Sequence, residues 1–225
     1  MISVIFDLDG TLVDSEPNYY ASGRRTLERH GVPGFTWEQH AAFIGIGTRE
    51  TLEILRERYG IQAPVEQLLA EQNAAYLELA RTETQVYPEM RKLVERLYAE
   101  GVPMAVASGS SREAIDAVLA GTGLDALLTT VVSAEEVPHG KPAPDVFLEA
   151  ARRLGAAPTE CVVVEDAAPG ARAALAAGMD CVAVPYVEAT ADDPAFATAG
   201  LLFRTGQRDF TADAAYEYLA GRRSA

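Results

Sequence analysis

The hydrophobic pattern along the chain switches between two periods. Residues 2–6, Ile-Ser-Val-Ile-Phe, form a nearly continuous apolar run of β-branched and aromatic residues, which fits a strand covered on both faces of a parallel sheet. Comparable short runs recur at 102–107, 129–132, 161–165 and 181–184, and the segments between them, at about 111–120, 144–155 and 169–177, show helical spacing. A helix ahead of this series begins at Pro88, carries the stripe Met90, Leu93, Val94, Leu97 and stops at Gly101, while Gly178 closes the helix at 169–177. Strand and helix in alternation predict an α/β fold, a Rossmann-like doubly wound parallel sheet.

Between Asp14 and Val86 the strand signal disappears. Leu52, Leu55 and Tyr59 mark one helical face that ends at Gly60, and Leu68, Leu69, Gln72 and Leu79 mark another. The pattern predicts a core of residues 1–15 and 84–225 interrupted by an inserted α-helical domain at 16–83. The last stretch, 187–225, carries weaker signals: Leu201–Phe203 reads as an edge strand and 214–219 as a closing helix.

Composition narrows the picture. With 225 residues, 48% hydrophobic and 23% charged, the chain can bury a full core and has no mark of disorder. A formal net charge of -14 argues against nucleic acid or an anionic membrane as partner, since both attract basic faces. The start lacks a basic segment followed by an apolar one, and no apolar run approaches the length of a membrane span. A cytoplasmic protein, monomeric or weakly dimeric, is expected. Cys161 and Cys181 each open an apolar run without metal-ligand spacing and read as buried thiols.

The candidate chemistry lies at strand ends, where open α/β sheets place their ligands. Asp7-Leu8-Asp9-Gly10-Thr11 follows the first strand, and alternation would put Asp7 and Asp9 on one side, where they repel unless a cation or shared proton relieves them. Taken alone, this is equally a strand with an Asp-Gly turn. Three further signals follow in order. Ser108-Gly109-Ser110-Ser111 ends the strand at 102–107, and out of context such a run is most often a helix-capping loop. His139-Gly140-Lys141-Pro142 holds a lysine in a stiff turn before a helix. Glu165-Asp166 tips the strand at 161–165, and alone could be an acidic helix cap. In this order, over about residues 2–186, the set resembles the haloacid dehalogenase superfamily, and the helical insertion resembles the cap of its β-phosphoglucomutase-like and sugar-phosphatase members.

That resemblance implies a mechanism. Asp7 is the nucleophile that forms an aspartyl-phosphate, Asp9 the general acid and base, and Thr11 a holder of carboxylate and phosphate geometry. Ser108 and the Gly109 N–H bind phosphate, and Lys141 balances the charge. The hard oxygen donors favour Mg2+ over zinc. The resemblance assigns to it the Asp7 and Asp166 side chains, the Asp9 backbone carbonyl, and Glu165 directly or through water. An aspartate at position 9 favours phosphoryl transfer over dehalogenation. In the cap, Tyr19, Ile44 and Arg49 are expected to face substrate, although an exposed arginine in a helix's first turn accounts equally for Arg49. His30 and His40 are expected at the cap surface, and His139 has no assigned role. The expected function is a Mg2+-dependent phosphatase of a small phosphorylated metabolite, a sugar or polyol phosphate. A sugar phosphomutase is the alternative within the enzymes, weakened by Asn18-Tyr19 and Ile44-Gly45 where that subgroup has other residues. A catalytically silent phosphometabolite-binding or scaffold protein is the alternative outside them.

Overall fold

Ser3–Phe6 are buried along their whole length and form the first strand of the sheet in a computed structural model that describes residues 2–44 and 46–222. In chain order the described residues give β1 (Ser3–Phe6), β2 (Val13–Asp14), α1 (Glu16–Arg29), α2 (Trp37–Ala41), α3 (Thr48–Tyr59), α4 (Val65–Thr82), β3 (Gln85–Val86), α5 (Pro88–Ala99) and β4 (Met104–Ser108). They continue with α6 (Arg112–Thr122), β5 (Thr130–Ser133), α7 (Asp145–Leu154), β6 (Cys161–Glu165), α8 (Ala168–Ala176), β7 (Asp180–Ala183), β8 (Leu201–Leu202) and α9 (Ala212–Arg222). The chain divides into two compact units, one of residues 1–14 and 85–225 and one of residues 15–84.

The first unit is the α/β core. Its six parallel strands run β5-β4-β1-β6-β7-β8, with Val4 opposite both Met104 and Val162. From β1 the chain adds β4 and β5 on one side, then crosses to place β6 on the other. The strand order therefore reverses at β1 and β6, the position where such sheets open a ligand crevice at their carboxyl ends. Phe147 of α7 is fully buried with Ile5, Ala107 and Val163 in the core on this side of the sheet. Losing a fully buried aromatic of this size typically costs about 3–5 kcal/mol.

Several boundaries differ from the pattern. Met104 rather than Val102 begins β4, because Pro103 has no N–H to give a ladder and instead accepts from Val4 through its carbonyl. Two short pieces, β2 and β3, pair antiparallel through Val13 and Val86 and through Asp14 and Gln85, and are too short to show a period. Sheet pairing of β1 ends at Phe6, and residues 8–13 close a turn in which Leu8 accepts from the N–H groups of Leu12 and Val13. Strand alternation therefore does not extend to Asp9, which belongs to the turn.

The second unit, residues 15–84, is helical. Asn18, Ser22, Gly23 and Thr26 on α1 are buried, and α1 packs along α4, with Tyr19 stacked on Tyr76 at 4.3 Å. Leu27, Phe35, Phe43, Leu52, Leu55, Ile61 and Leu68 make its apolar core. His30 and His40, expected at the surface, are half-buried, and each ring bonds a carboxylate, Glu71 at 3.0 Å and Glu16 at 2.9 Å. The His40 ring also lies against Tyr20 and Trp37, with ring centroids at 5.6 and 5.4 Å.

Candidate active site

The carboxyl ends of β1 and β6 bring the acidic residues together. Asp7 immediately follows β1 and is still tied to the sheet by its N–H, which donates to Val164. Glu165 is the last residue of β6, and Asp166 follows it. Oxygens of Asp7, Glu165 and Asp166 lie within 4.8 Å of one another, and Asp7 and Glu165 are buried. Lys141 reaches in from the turn before α7, its Nζ donating to Asp7 Oδ1 at 2.5 Å and to Glu165 Oε2 at 2.7 Å. One lysine thus faces three carboxylates.

The electrostatics follow from that count. Burial pushes the Asp7 carboxyl up to about 7, and the charge of Glu165 adds to this against the pull of Lys141. Asp166 is raised as well, by burial first and then by Glu165 and Asp7. Burial works against the Lys141 ammonium, but the carboxylates of Asp7 and Glu165 outweigh it and hold the lysine charged. Buried oxygen donors with uncompensated negative charge, and no thiolate or imidazole among them, fit a hard divalent cation.

The turn after β1 explains its glycine. Gly10 has φ +81, and a Cβ there would lie 2.4 Å from Asp166 Oδ2, so both the backbone and the close approach of Asp166 require the missing side chain. Gly170, in the first turn of α8, would likewise drive a Cβ into the Glu165 carboxyl. Thr11 donates from Oγ1 to Asp166 Oδ1 at 3.2 Å, which ties the β1 turn to the β6 tip.

The Asp9 carboxylate stands apart from the acidic cluster. Its Oδ2 accepts from Ser110 Oγ at 2.6 Å and from Ser108 Oγ at 3.3 Å, both beyond the end of β4 or at it. Ser108 is buried and Gly109 exposed, and a side chain at Gly109 would meet nothing within 4 Å, so its neighbours do not require glycine. The arrangement is a buried carboxylate held by a lysine, a second carboxylate held by hydroxyls, and an acidic pair beside them. This can support nucleophilic attack with proton transfer to and from a neighbouring group.

The sequence pattern of haloacid dehalogenase-like hydrolases matches residues 4–184. The chain belongs to this family. It is 36% identical over 181 residues to the fructose-1-phosphate phosphatase YqaB of Escherichia coli K12, covering 80% of this chain and 95% of that one. Hexitol phosphatase A of the same organism is 36% identical over 191 residues, 84% of each chain. Among solved structures, a Thermotoga maritima protein assigned as a β-phosphoglucomutase aligns over 100% of both chains with a TM-score of 0.78 and 28% identity.

In this hydrolase the core motif residues converge, but the expected cap residues have partners within the helical unit. Arg49, in the first turn of α3, is exposed and donates to Glu66 at 3.1 Å. Tyr19 stacks on Tyr76, and Ile44 is half-buried in the link between α2 and α3, while Gly45 lies outside the described residues. His139 is exposed beside Asp145. Cys161 and Cys181 are free and buried. Among the described residues no helix is long and apolar enough to cross a membrane. Sequence reasoning missed Ser110 and Gln207, whose side-chain amide donates to the Thr11 carbonyl at 3.0 Å. The serine run did not tell Ser110 from the helix cap beside it, and nothing local marked Gln207.

Proposed function

We propose that this family member hydrolyses a small phosphorylated metabolite, a sugar or polyol phosphate, through an aspartyl-phosphate on Asp7. The observation that carries this reading is the pair of differently held carboxylates at one strand end, Asp7 on Lys141 and Asp9 on the serines of the β4 loop. The phosphatases among its relatives supply the substrate class.

An Asp7 oxygen attacks phosphorus, forming the acyl phosphate as the bond to the substrate oxygen breaks. Asp9, acting as the general acid, gives a proton to the departing alkoxide. Water then attacks the same phosphorus, Asp9 takes its proton, and the Asp7 carboxylate leaves with inorganic phosphate released. Lys141 holds the nucleophile and its charge, and Ser108 and the Gly109 N–H take phosphoryl oxygens. Asp7, Asp166, the Asp9 carbonyl and Glu165, directly or through water, would hold Mg2+, which when bound neutralises charge between nucleophile and phosphate. In the helical unit, Tyr19, Ile44 and Arg49 select among substrates.

The test is a screen of phosphorylated metabolites for phosphate release, with and without Mg2+. Metal-dependent release from sugar or polyol phosphates is expected. Absence of release from every compound, with binding retained, would point to a silent binding protein. The full-length likeness to a protein assigned as a β-phosphoglucomutase favours a second reading. Isomerisation of a hexose 1-phosphate, primed by a bisphosphate and faster than phosphate release, would establish it; release is expected to dominate.

A further inference from the structure

The run Ser108-Gly109-Ser110-Ser111 divides its labour in a way that helix capping does not explain. Only Ser111 caps, accepting from Ala114 N at 3.3 Å at the start of α6. Ser108 Oγ closes the loop by accepting the N–H of Ser110 at 3.0 Å. The Ser110 carbonyl accepts from Oγ of Ser133, a fully buried residue ending β5, at 2.7 Å. Ser133 is itself fixed, since its Oγ accepts from Glu135 N and its N–H donates to Glu136. The backbone of Ser110 is therefore clamped on both sides, and its hydroxyl is delivered to Asp9 Oδ2 at 2.6 Å.

That distance is typical of a hydroxyl donating to a carboxylate, whereas the 3.3 Å from Ser108 is beyond the usual range for a hydroxyl donor. Of the two serines, Ser110 thus makes the shorter contact. A carboxylate turns about its Cβ–Cγ bond, so a strong bond to one oxygen sets the plane of the group and the direction of the other. We infer that Ser110 is a positioning residue for Asp9, fixing Oδ2 so that Oδ1 is the oxygen presented to the leaving group and to the attacking water, with Ser133 as its support. The inference rests on the acid and base role proposed for Asp9 and adds the residue that aims it. A chain of three strand tips, β5 through Ser133, β4 through Ser110 and β1 through Asp9, carries the alignment.

The experiment compares two substrates that differ in their need for a proton. Fructose 1-phosphate releases fructose as a strongly basic alkoxide, whereas 4-nitrophenyl phosphate releases a weakly basic phenolate. The parameter kcat/KM covers only steps through the first irreversible one, so it separates leaving-group protonation from later water attack. Ser110→Ala is expected to lower kcat/KM by about tenfold to a hundredfold for fructose 1-phosphate and by less than about threefold for 4-nitrophenyl phosphate. Ser110→Thr, which keeps the hydroxyl, should recover most of the loss. Ser111→Ala, which removes only the cap, should show no selectivity between the substrates. Equal losses on both substrates for Ser110→Ala, or no loss on either, would overturn the inference. Asp9→Asn run beside these variants keeps the two ideas apart. If it discriminates between the substrates and Ser110→Ala does not, Asp9 is the acid and Ser110 does not aim it. If it shows no discrimination, or wild type hydrolyses neither compound, the reading of Asp9 fails and the inference with it.

Discussion

At the scale of single residues, the site is a problem of charge in a dry place, and Lys141 is its pivot. Its side chain is 12% exposed and contacts two carboxylates, so its removal leaves Asp7 and Glu165 buried without compensation. Lys141→Ala is expected to lower stability in chelator by about 3 kcal/mol, read from denaturant midpoints, and to recover in part with Mg2+. A change near zero would mean that the carboxylates do not depend on the lysine. Asp7→Asn should lower turnover by more than about 10³-fold while the fold persists, because the swap is nearly isosteric yet removes the anionic nucleophile. Circular dichroism and steady-state rates check both halves of that statement. Most of these residues were legible in the sequence because unusual residues stand beside turn-formers, as in Asp9-Gly10 after β1 and Lys141-Pro142 before α7. Ser110 was not, because a serine bonded to a distant carboxylate looks the same in sequence as the helix cap beside it.

At the scale of elements, buried β-branched runs and glycine stops located the strands and helices of the sheet, since a strand covered on both faces has few other compositions open to it. The boundaries shifted where a local hydrogen-bond constraint intervened, as at Pro103. The pair β2 and β3 escaped detection because two residues cannot display a period, although it joins the positions where the chain leaves and re-enters the α/β core. The turn after β1 is the element most exposed to a small change. Gly10→Ala would place a Cβ at φ +81, about 1–2 kcal/mol of backbone strain, and push against the Asp166 carboxyl. Activity and metal affinity should both fall further than stability does. A variant of unchanged metal affinity would show that Asp166 can move aside without consequence.

At the scale of the whole molecule, the proposed function assigns chemistry to the α/β core and selection to the helical unit. The acid-rich composition, with a net charge of -14, requires local positive charge wherever phosphate is handled, and Lys141 supplies it within the core. Arg49 rests on Glu66 on an exposed face, a surface pair worth little to stability. Arg49→Ala should therefore alter the ranking of sugar phosphates more than hydrolysis of 4-nitrophenyl phosphate, and equal losses on both would remove it from selection. The sequence could not settle this because helical spacing gives which residues share a face, not what that face meets. The central claim, covalent transfer through Asp7, is tested most directly by acid-quenching the enzyme during turnover with Mg2+ and locating the phosphoryl group by peptide mass spectrometry. The account predicts a phosphoryl group on the peptide and residue carrying Asp7, enriched in Asp9→Asn on an aryl phosphate and absent from Asp7→Asn. Phosphate release at full rate with no phosphoryl group on Asp7, or with one on another residue, would contradict it.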